Sequence, residues 1–561
     1  MNVESSFASR HALRKIIALV LAVMMVLGVA TAFAADGDSE TPTTYTITIT
    51  KDSTDKAAHT YGAFQIFSGD LNEAEGKKVL SNIEWGTGID SAKVSTLISA
   101  INTALGLAED KLLAANASAA KVAEVISDQN IAKDDAKAKA LANAFEAALV
   151  ATTTYSGTVA AEAKQATISN VPAGYYLVKD TAAVTGEGAQ TRYMLEVVSN
   201  VAPTEKANVP TVEKKVKDIN DSTETTVGSW QDSADYDVGD VIPYKITGSL
   251  PSDFADYKTY KKYKFTDTLS SGLTITSEQL AAVTVTIGEG GTSIKDNFDV
   301  SLSGQVLTVS LKDGKDLKTI SEIDKDSKIV VAYNATLNDQ AVIGKVGNDN
   351  KVTLEFTNNP NNEGDGDKGT TPEDKVIVFT YKIDVDKITA DGDPLPGAGF
   401  TLYKYNASST AEDKWEAVKP EVVITSETNF SWDRIDDGKY KLVETTTPAG
   451  YNTIDPIEFE ITATHDATAD TPTLTGLTVT DGKGFAASLD AGTFTKVHKT
   501  NGTADARATV SGEIAGEVIN NSGATLPSTG GVGTQMFYIG GGLLALVAVV
   551  LLVTKRRMTA E

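Results

Sequence analysis

The chain has no cysteine among its 561 residues. Disulfides are therefore excluded, as are thiolate nucleophiles and thiolate metal ligands. Histidine is nearly as scarce, with four in the whole sequence. His11, His59, His465 and His498 lie in unrelated contexts without metal-ligand spacing. No metal site, no Ser-His-Asp site and no cofactor is expected on that basis, and with no convergent catalytic set an enzyme is not expected either. Positive charge is also short. The 50 Lys and Arg face 75 Asp and Glu, for a formal net charge of −25. Nucleic acid and anionic membranes both require basic patches, so neither is an expected partner. Long apolar runs are confined to the two ends of the chain.

What is present suits folded β-structure. The chain is 41% hydrophobic and 22% charged, the balance of a protein that can build cores. Its length suggests three or four domains. Thr, Val and Ile recur in short alternating runs, the period of half-buried strands. A multidomain β-protein without disulfides must gain its robustness from some other cross-link or packing device.

The ends set the location. Arg10, Arg14 and Lys15 precede an apolar run over residues 16–29, and Ala32, Phe33 and Ala34 form an A-x-A cleavage site. Residues 1–34 thus read as a secretory signal peptide, the run being shorter than the ~20 residues a span needs. Near the other end, Leu526, Pro527, Ser528, Thr529 and Gly530 precede an apolar run over 536–553 and then Lys555, Arg556 and Arg557. The run is about long enough to cross a bilayer, and the cations should remain cytoplasmic. This order resembles the LPXTG cell-wall sorting signal. The resemblance implies that a sortase cysteine attacks the Thr529 carbonyl and releases Gly530 onward. The expected location is the cell wall and cell surface, with membrane retention only before cleavage.

Between these ends three units are expected. Residues 35–205 open with an alternating strand at 45–51. An Ala-rich helical stretch follows over about 91–150, and strands return at 174–180 and 192–198. Residues 206–370 are rich in strand patterns and close on a polar Asn/Gly/Asp linker at 358–367. Residues 371–524 form a third strand-rich unit, and 525–561 carry the sorting signal. Asp365 and Asp367 lack the other ligands of a calcium loop, and residues 288–291 read as a hairpin turn. Gly174-x-Tyr176-x-Val178-x-Asp180 repeats weakly as Gly438-x-Tyr440-x-Leu442-x-Glu444, and Val198-Ser199-Asn200 as Val518-Ile519-Asn520.

Alternation places several polar residues on apolar faces. Lys387 continues the parity of Phe379, Tyr381, Ile383 and Val385. Glu444 continues Tyr440 and Leu442, and Asn520 continues Ile514 and Val518. In the second unit Val212 and Val216 bracket Lys214, Phe265 and Leu269 bracket Asp267, and Val352, Leu354 and Phe356 lead to Asn358. Burying an unpaired charge costs several kcal/mol. The alternative for each residue singly is a strand end from which the side chain reaches water.

These residues resemble the Cna-type β-sandwich domains of Gram-positive pilins and adhesins. The resemblance covers nearly the whole chain between its ends. It implies a mainly β fold of tandem immunoglobulin-like sandwiches in a rod, the first domain with a helical insertion. It also implies spontaneous Lys–Asn isopeptide bonds assisted by a buried acid. Lys387, Glu444 and Asn520 match the B-type pattern, with Asn521 set aside on parity alone. Lys214, Asp267 and Asn358 match an A-type domain, with Lys215, Asn348 and Asn350 as competitors. Lys51, Asp180 and Asn200 follow in the first unit by the repeat, although Asp there replaces Glu. Lys206 lies in a segment resembling the pilin motif, but Pro203 stands three residues before it rather than one. It would receive the Thr529 acyl group of a neighbouring subunit, with Lys214 and Lys215 next in line.

The function implied is the structural backbone subunit of a covalent cell-surface pilus. The expected partners are a pilus-specific sortase, further copies of the chain, minor tip and base pilins, peptidoglycan and host surface ligands. The alternative is a monomeric wall-anchored adhesin, which needs no linking lysine.

Overall fold

The computed structural model describes residues 43–74, 77–129, 131, 136–204, 209–223, 229–362, 367–418, 422–423, 428–500, 503–523 and 532–558. The signal peptide, Lys206 and the Leu526–Gly530 motif lie outside the described residues.

The first unit wraps a sheet with strands on one face and helices on the other. Thr44–Thr50 pairs antiparallel with Gln165–Pro172, and Val201 and Thr204 add parallel bridges to its free edge. The larger sheet runs Lys77–Trp85, His59–Ala74, Gly174–Asp180, Arg192–Val197, with Tyr155–Val159 also on His59–Ala74. Gly174–Asp180 is buried on both faces. Tyr176 and Val178 pack with Tyr45, Ile47 and Ile49, while Tyr175 and Leu177 face the helices. The Ala-rich stretch forms Val94–Leu105, Ala119–Asp128 and Ala136–Ala147. Leu97, Ile98, Ile101 and Leu105 recur at helical spacing and are buried. Gly106, at φ 62°, ends that helix in the left-handed conformation that glycine adopts at least cost. The Ser118 side chain caps the next helix by accepting from the Lys121 amide.

The second unit is a sandwich of two sheets. One contains Val212–Lys217, Val241–Gly248 and Ile329–Leu337 as its centre. The other runs Ser233–Asp235, Asp374–Phe379, Asn348–Thr357, Tyr263–Leu269, Val306–Leu311, Phe298–Ser303. Between them lies an apolar core rich in tyrosine and phenylalanine. Asp374–Phe379 pairs parallel with Ser233–Asp235 and antiparallel with Asn348–Thr357. The sequence places this strand at the opening of the third unit, but its hydrogen bonds put it in the second. Only Thr380 separates it from Tyr381–Thr389, so the alternation runs unbroken across the junction and hides the change of sheet.

Tyr381–Thr389 begins the third sandwich. It lies between Asn429–Ile435 and Glu513–Asn520, and pairs with the latter in parallel. The facing sheet centres on Gly399–Tyr405, Gly438–Thr446 and Ile457–His465. First and last strands are thus neighbours in one sheet, opposite the strand that carries Glu444. Beyond this unit, Val532–Met558 is helical, and Tyr538–Arg556 is long and apolar enough to cross a membrane.

Candidate functional site

In the third unit the three predicted residues meet inside the sandwich. Lys387 is opposite Val518 on the adjoining strand and is wholly buried. Its Nζ donates to the carbonyls of Ile388 and Val518, each at 3.2 Å. Burial pushes the ammonium down to about 8, although the Glu444 carboxylate pulls the other way. Asn520 is also fully buried, whereas its neighbour Asn521 is exposed. The Asn520 Nδ2 donates to both oxygens of Glu444, at 2.8 and 3.0 Å, and to the Asn452 carbonyl at 3.0 Å. Glu444 Oε2 further accepts from the Ile454 amide at 3.0 Å. Asn520 Oδ1 has no partner. A buried amide oxygen without a donor is costly.

The second unit has a related arrangement, with one exchange. Lys214 is fully buried and its Nζ donates to Asp267 Oδ1 at 2.7 Å and the Tyr333 hydroxyl at 2.8 Å. The ammonium lies 5.1 Å from the ring centres of Tyr244 and Tyr333. Burial lowers the Lys214 pKa, opposed by the charge of Asp267, and raises that of Asp267, opposed by Lys214. The Tyr333 hydroxyl also donates to Asp267 Oδ2. Lys215 points to the other face and pairs with Asp232 at 2.5 Å.

The asparagine beside this set is Asn350, not Asn358. Asn350 is wholly buried, donates to the Tyr333 hydroxyl at 2.8 Å, and leaves Oδ1 without a partner. It faces Leu269 across the sheet, diagonal to Asp267. Asn358 lies eight residues further on, about 26 Å away at the rise of an extended chain. Its amide donates instead to the carbonyls of Val184 and Gly188, at 2.8 and 3.0 Å, and so fastens a loop of the first unit. Asn348 is spent on Val342 and Val378. All three asparagines share the inward parity, and only the approach of the opposite sheet separates them.

The first unit does not assemble the predicted trio. Asn200 is exposed and accepts from the Thr46 amide at 2.9 Å. Lys51 and Asp180 are buried, but in a different network. The Lys51 Nζ donates to the Ala57 carbonyl and lies 3.8 Å from Asp55. His59 is held between Asp180, at 2.9 Å, and Asp55, at 3.1 Å. Burial would lower the pKa of His59, but the hydrogen bonds and charges of Asp180 and Asp55 outweigh it and hold the imidazole at about 10. Asp180 Oδ2 also accepts from the Thr191 amide at 2.8 Å. The repeat aligned Lys51 and Asp180 without revealing their partners. The spacing Lys51-x3-Asp55-x3-His59 was the available signal for them.

Comparison with known proteins agrees with this architecture. Residues 238–360 match the family "Gram-positive pilin backbone subunit 2, Cna-B-like domain". Residues 381–473 match a prealbumin-like fold domain, and 519–558 the LPXTG cell wall anchor motif. The Cna-B-like description falls on the second unit, for which the sequence suggested an A-type domain. The trypsin-resistant surface T6 protein of Streptococcus pyogenes is 27% identical over 405 residues, covering 63% of this chain and 70% of that protein. Platelet adherence protein A of Streptococcus gordonii is 28% identical over 238 residues, 42% of this chain but 6% of that protein. Among solved structures, the T6 backbone pilin of Streptococcus pyogenes aligns over 88% of this chain and all of its own, at 16% identity and a TM-score of 0.47. The full-length major pilin SpaD of Corynebacterium diphtheriae aligns over the same shares, at 17% and 0.44. With pilin-backbone, prealbumin-like and anchor segments in this order, the chain belongs to the wall-anchored backbone pilins of Gram-positive bacteria.

Proposed function

We propose that the chain polymerises by transfer of the Thr529 acyl group from a pilus-specific sortase to the Lys206 ε-amine of the next subunit. Two self-formed cross-links, Lys387–Asn520 and Lys214–Asn350, harden each subunit. Minor tip and base pilins and peptidoglycan complete the assembly. The observation that carries the cross-links is the recurrence of one buried constellation in two sandwiches. Each has a lysine, an acid and an asparagine whose carbonyl oxygen lacks a donor.

Desolvation favours the neutral amine of Lys387 and of Lys214, and the protonated form of Asp267. Such an acid can donate to the asparagine carbonyl oxygen while the lysine nitrogen attacks the amide carbon. The carbon–nitrogen bond to the side-chain nitrogen then breaks. Ammonia leaves, taking a proton relayed from the lysine through the carboxyl, and an amide remains. Each subunit reacts once per site, so this is self-modification without turnover.

Wall extracts boiled in SDS and blotted with an antibody to the chain test the polymer. With the sortase present, wild type should give a high-mass ladder and Lys206→Ala only monomer. A ladder in the variant would move the nucleophile to another lysine. A single wall-linked monomer band in wild type would sink the polymer and leave the adhesin.

A further inference from the structure

The second and third units meet at a buried acidic joint that neither cross-link uses. Half of the joint is neutralised within the chain, since the Lys404 Nζ sits among Asp221, Asp237 and Asp436. The other half is Asp218, Asp235 and His465, with no lysine or arginine paired to either aspartate among the described residues. Asp218 follows Val212–Lys217, Asp235 ends Ser233–Asp235, and His465 ends Ile457–His465. All three therefore sit at or beside the ends of strands, on two different units.

The hydrogen bonds orient the imidazole. The Ser233 hydroxyl donates to the Asp466 carbonyl at 2.5 Å, so its oxygen accepts from His465 Nδ1–H at 2.8 Å. Nε2 is left facing Asp218 and Asp235, 3.8 Å from an oxygen of each. That is beyond hydrogen-bond range, and the ring is only 9% exposed. A buried ring nitrogen thus points between two carboxylates, at ion-pair distance from each and in direct hydrogen-bond contact with neither. The potential donor atoms of the three residues lie within 4.8 Å of one another. The fully buried Tyr381 hydroxyl faces the same acids and lies against Asp235.

We propose that Asp218, Asp235 and His465 bind one divalent cation of the zinc class and so clip the second unit to the third. One imidazole nitrogen and two carboxylate oxygens form a three-ligand set with a position left for water. The nitrogen favours zinc-class ions over calcium or magnesium, which take oxygen sets. Outer contacts hold the ligands. Ser233 fixes the ring, Gln231 Nε2 donates to Asp218 Oδ2 at 2.8 Å, and the Asp437 amide donates to Asp235 Oδ2 at 3.3 Å. The sequence hid the site because its ligands come from separate segments and no two share a motif spacing.

The test uses the full mature chain, stripped of metal and titrated with Zn²⁺ in a calorimeter, with Co²⁺ absorption as a second readout. One ion per chain is expected, with visible Co²⁺ bands in wild type. His465→Gln and Asp235→Asn should each weaken Zn²⁺ binding at least about tenfold and abolish the bands. Ca²⁺ should not compete. Asp218→Asn, at a half-buried position that folding tolerates more readily, keeps the test usable if the other variants unfold. Absence of a stoichiometric site, or binding that survives all the folded variants, would overturn the proposal.

Discussion

Lys387 illustrates what a single buried charge costs and what the proposed cross-link would remove. Its folded pKa of about 8 lies below that of an exposed lysine, because burial disfavours the ammonium. Between about pH 8 and 10.5 the unfolded chain binds more protons than the folded one, so stability rises with pH across that window. At neutral pH an unreacted Lys387 costs roughly 3 kcal/mol, and forming the amide removes that charge. Asn520→Ala, which cannot react, should therefore gain stability from pH 7 to pH 10 in urea unfolding, and adding Lys387→Met should flatten the profile. A flat profile in Asn520→Ala itself would contradict the buried ammonium. His59 has the opposite sign. Its contribution is full below about pH 6.5 and is lost as pH rises through about 10, since Asp180 and Asp55 hold the charged ring. His59→Gln should therefore destabilise the first unit at pH 6 and do little at pH 11, as thermal unfolding at the two values would reveal. The two asparagines of the second unit separate by intact mass. Asn350→Ala should retain one ammonia that wild type loses, whereas Asn358→Ala should lose as many as wild type. The reverse result would restore Asn358 as the reacting residue.

At the scale of the element, the decisive strand is Asp374–Phe379. It covers the edge of Asn348–Thr357 and brings Asp374 to accept from the Lys214 amide at 2.6 Å. An uncovered edge strand is a template for aggregation. A fragment of residues 209–379 should be soluble and cooperatively folded, whereas one ending at Thr370 should aggregate or unfold readily. Equal solubility and equal midpoints in urea would show that the strand is dispensable. Much of each sandwich was legible as alternation, and the helices as an Ala-rich stretch with apolar residues at helical spacing. The point at which one sheet ends and the next begins was not legible. Alternation records which face a residue presents, not which neighbour pairs with it.

At the scale of the whole molecule, the position of a cross-link governs how force passes. In the third unit Lys387 and Asn520 lie on adjacent parallel strands, one near the start of the domain and one at its end. Tension entering at the first strand would leave through the isopeptide and bypass the rest of the sandwich. Pulled by its ends in a force microscope, the wild-type domain should show no full unfolding step. Glu444→Gln, unable to form the bond, should extend by about 45 nm, the contour of the ~130 residues between the two positions. In thermal unfolding the same variant should lose up to ~5 kcal/mol, the scale for opening a closed loop of this size. An identical extension in both proteins would show that no bond forms.

The ends of the chain, its β-class and its three-unit order were determined by the sequence alone, because charge, apolar length and alternation are local properties. So was the inward parity of Lys387, Glu444 and Asn520, and of Lys214 and Asp267. The placement of Asn350 rather than Asn358 beside Lys214 and Asp267, the His59 network in place of Asn200, and the meeting of Asp218 and Asp235 with His465 were decided only by the tertiary structure. Each depends on which strand of a facing sheet or neighbouring unit comes within hydrogen-bond reach, and that distance is fixed by packing between segments far apart in the chain.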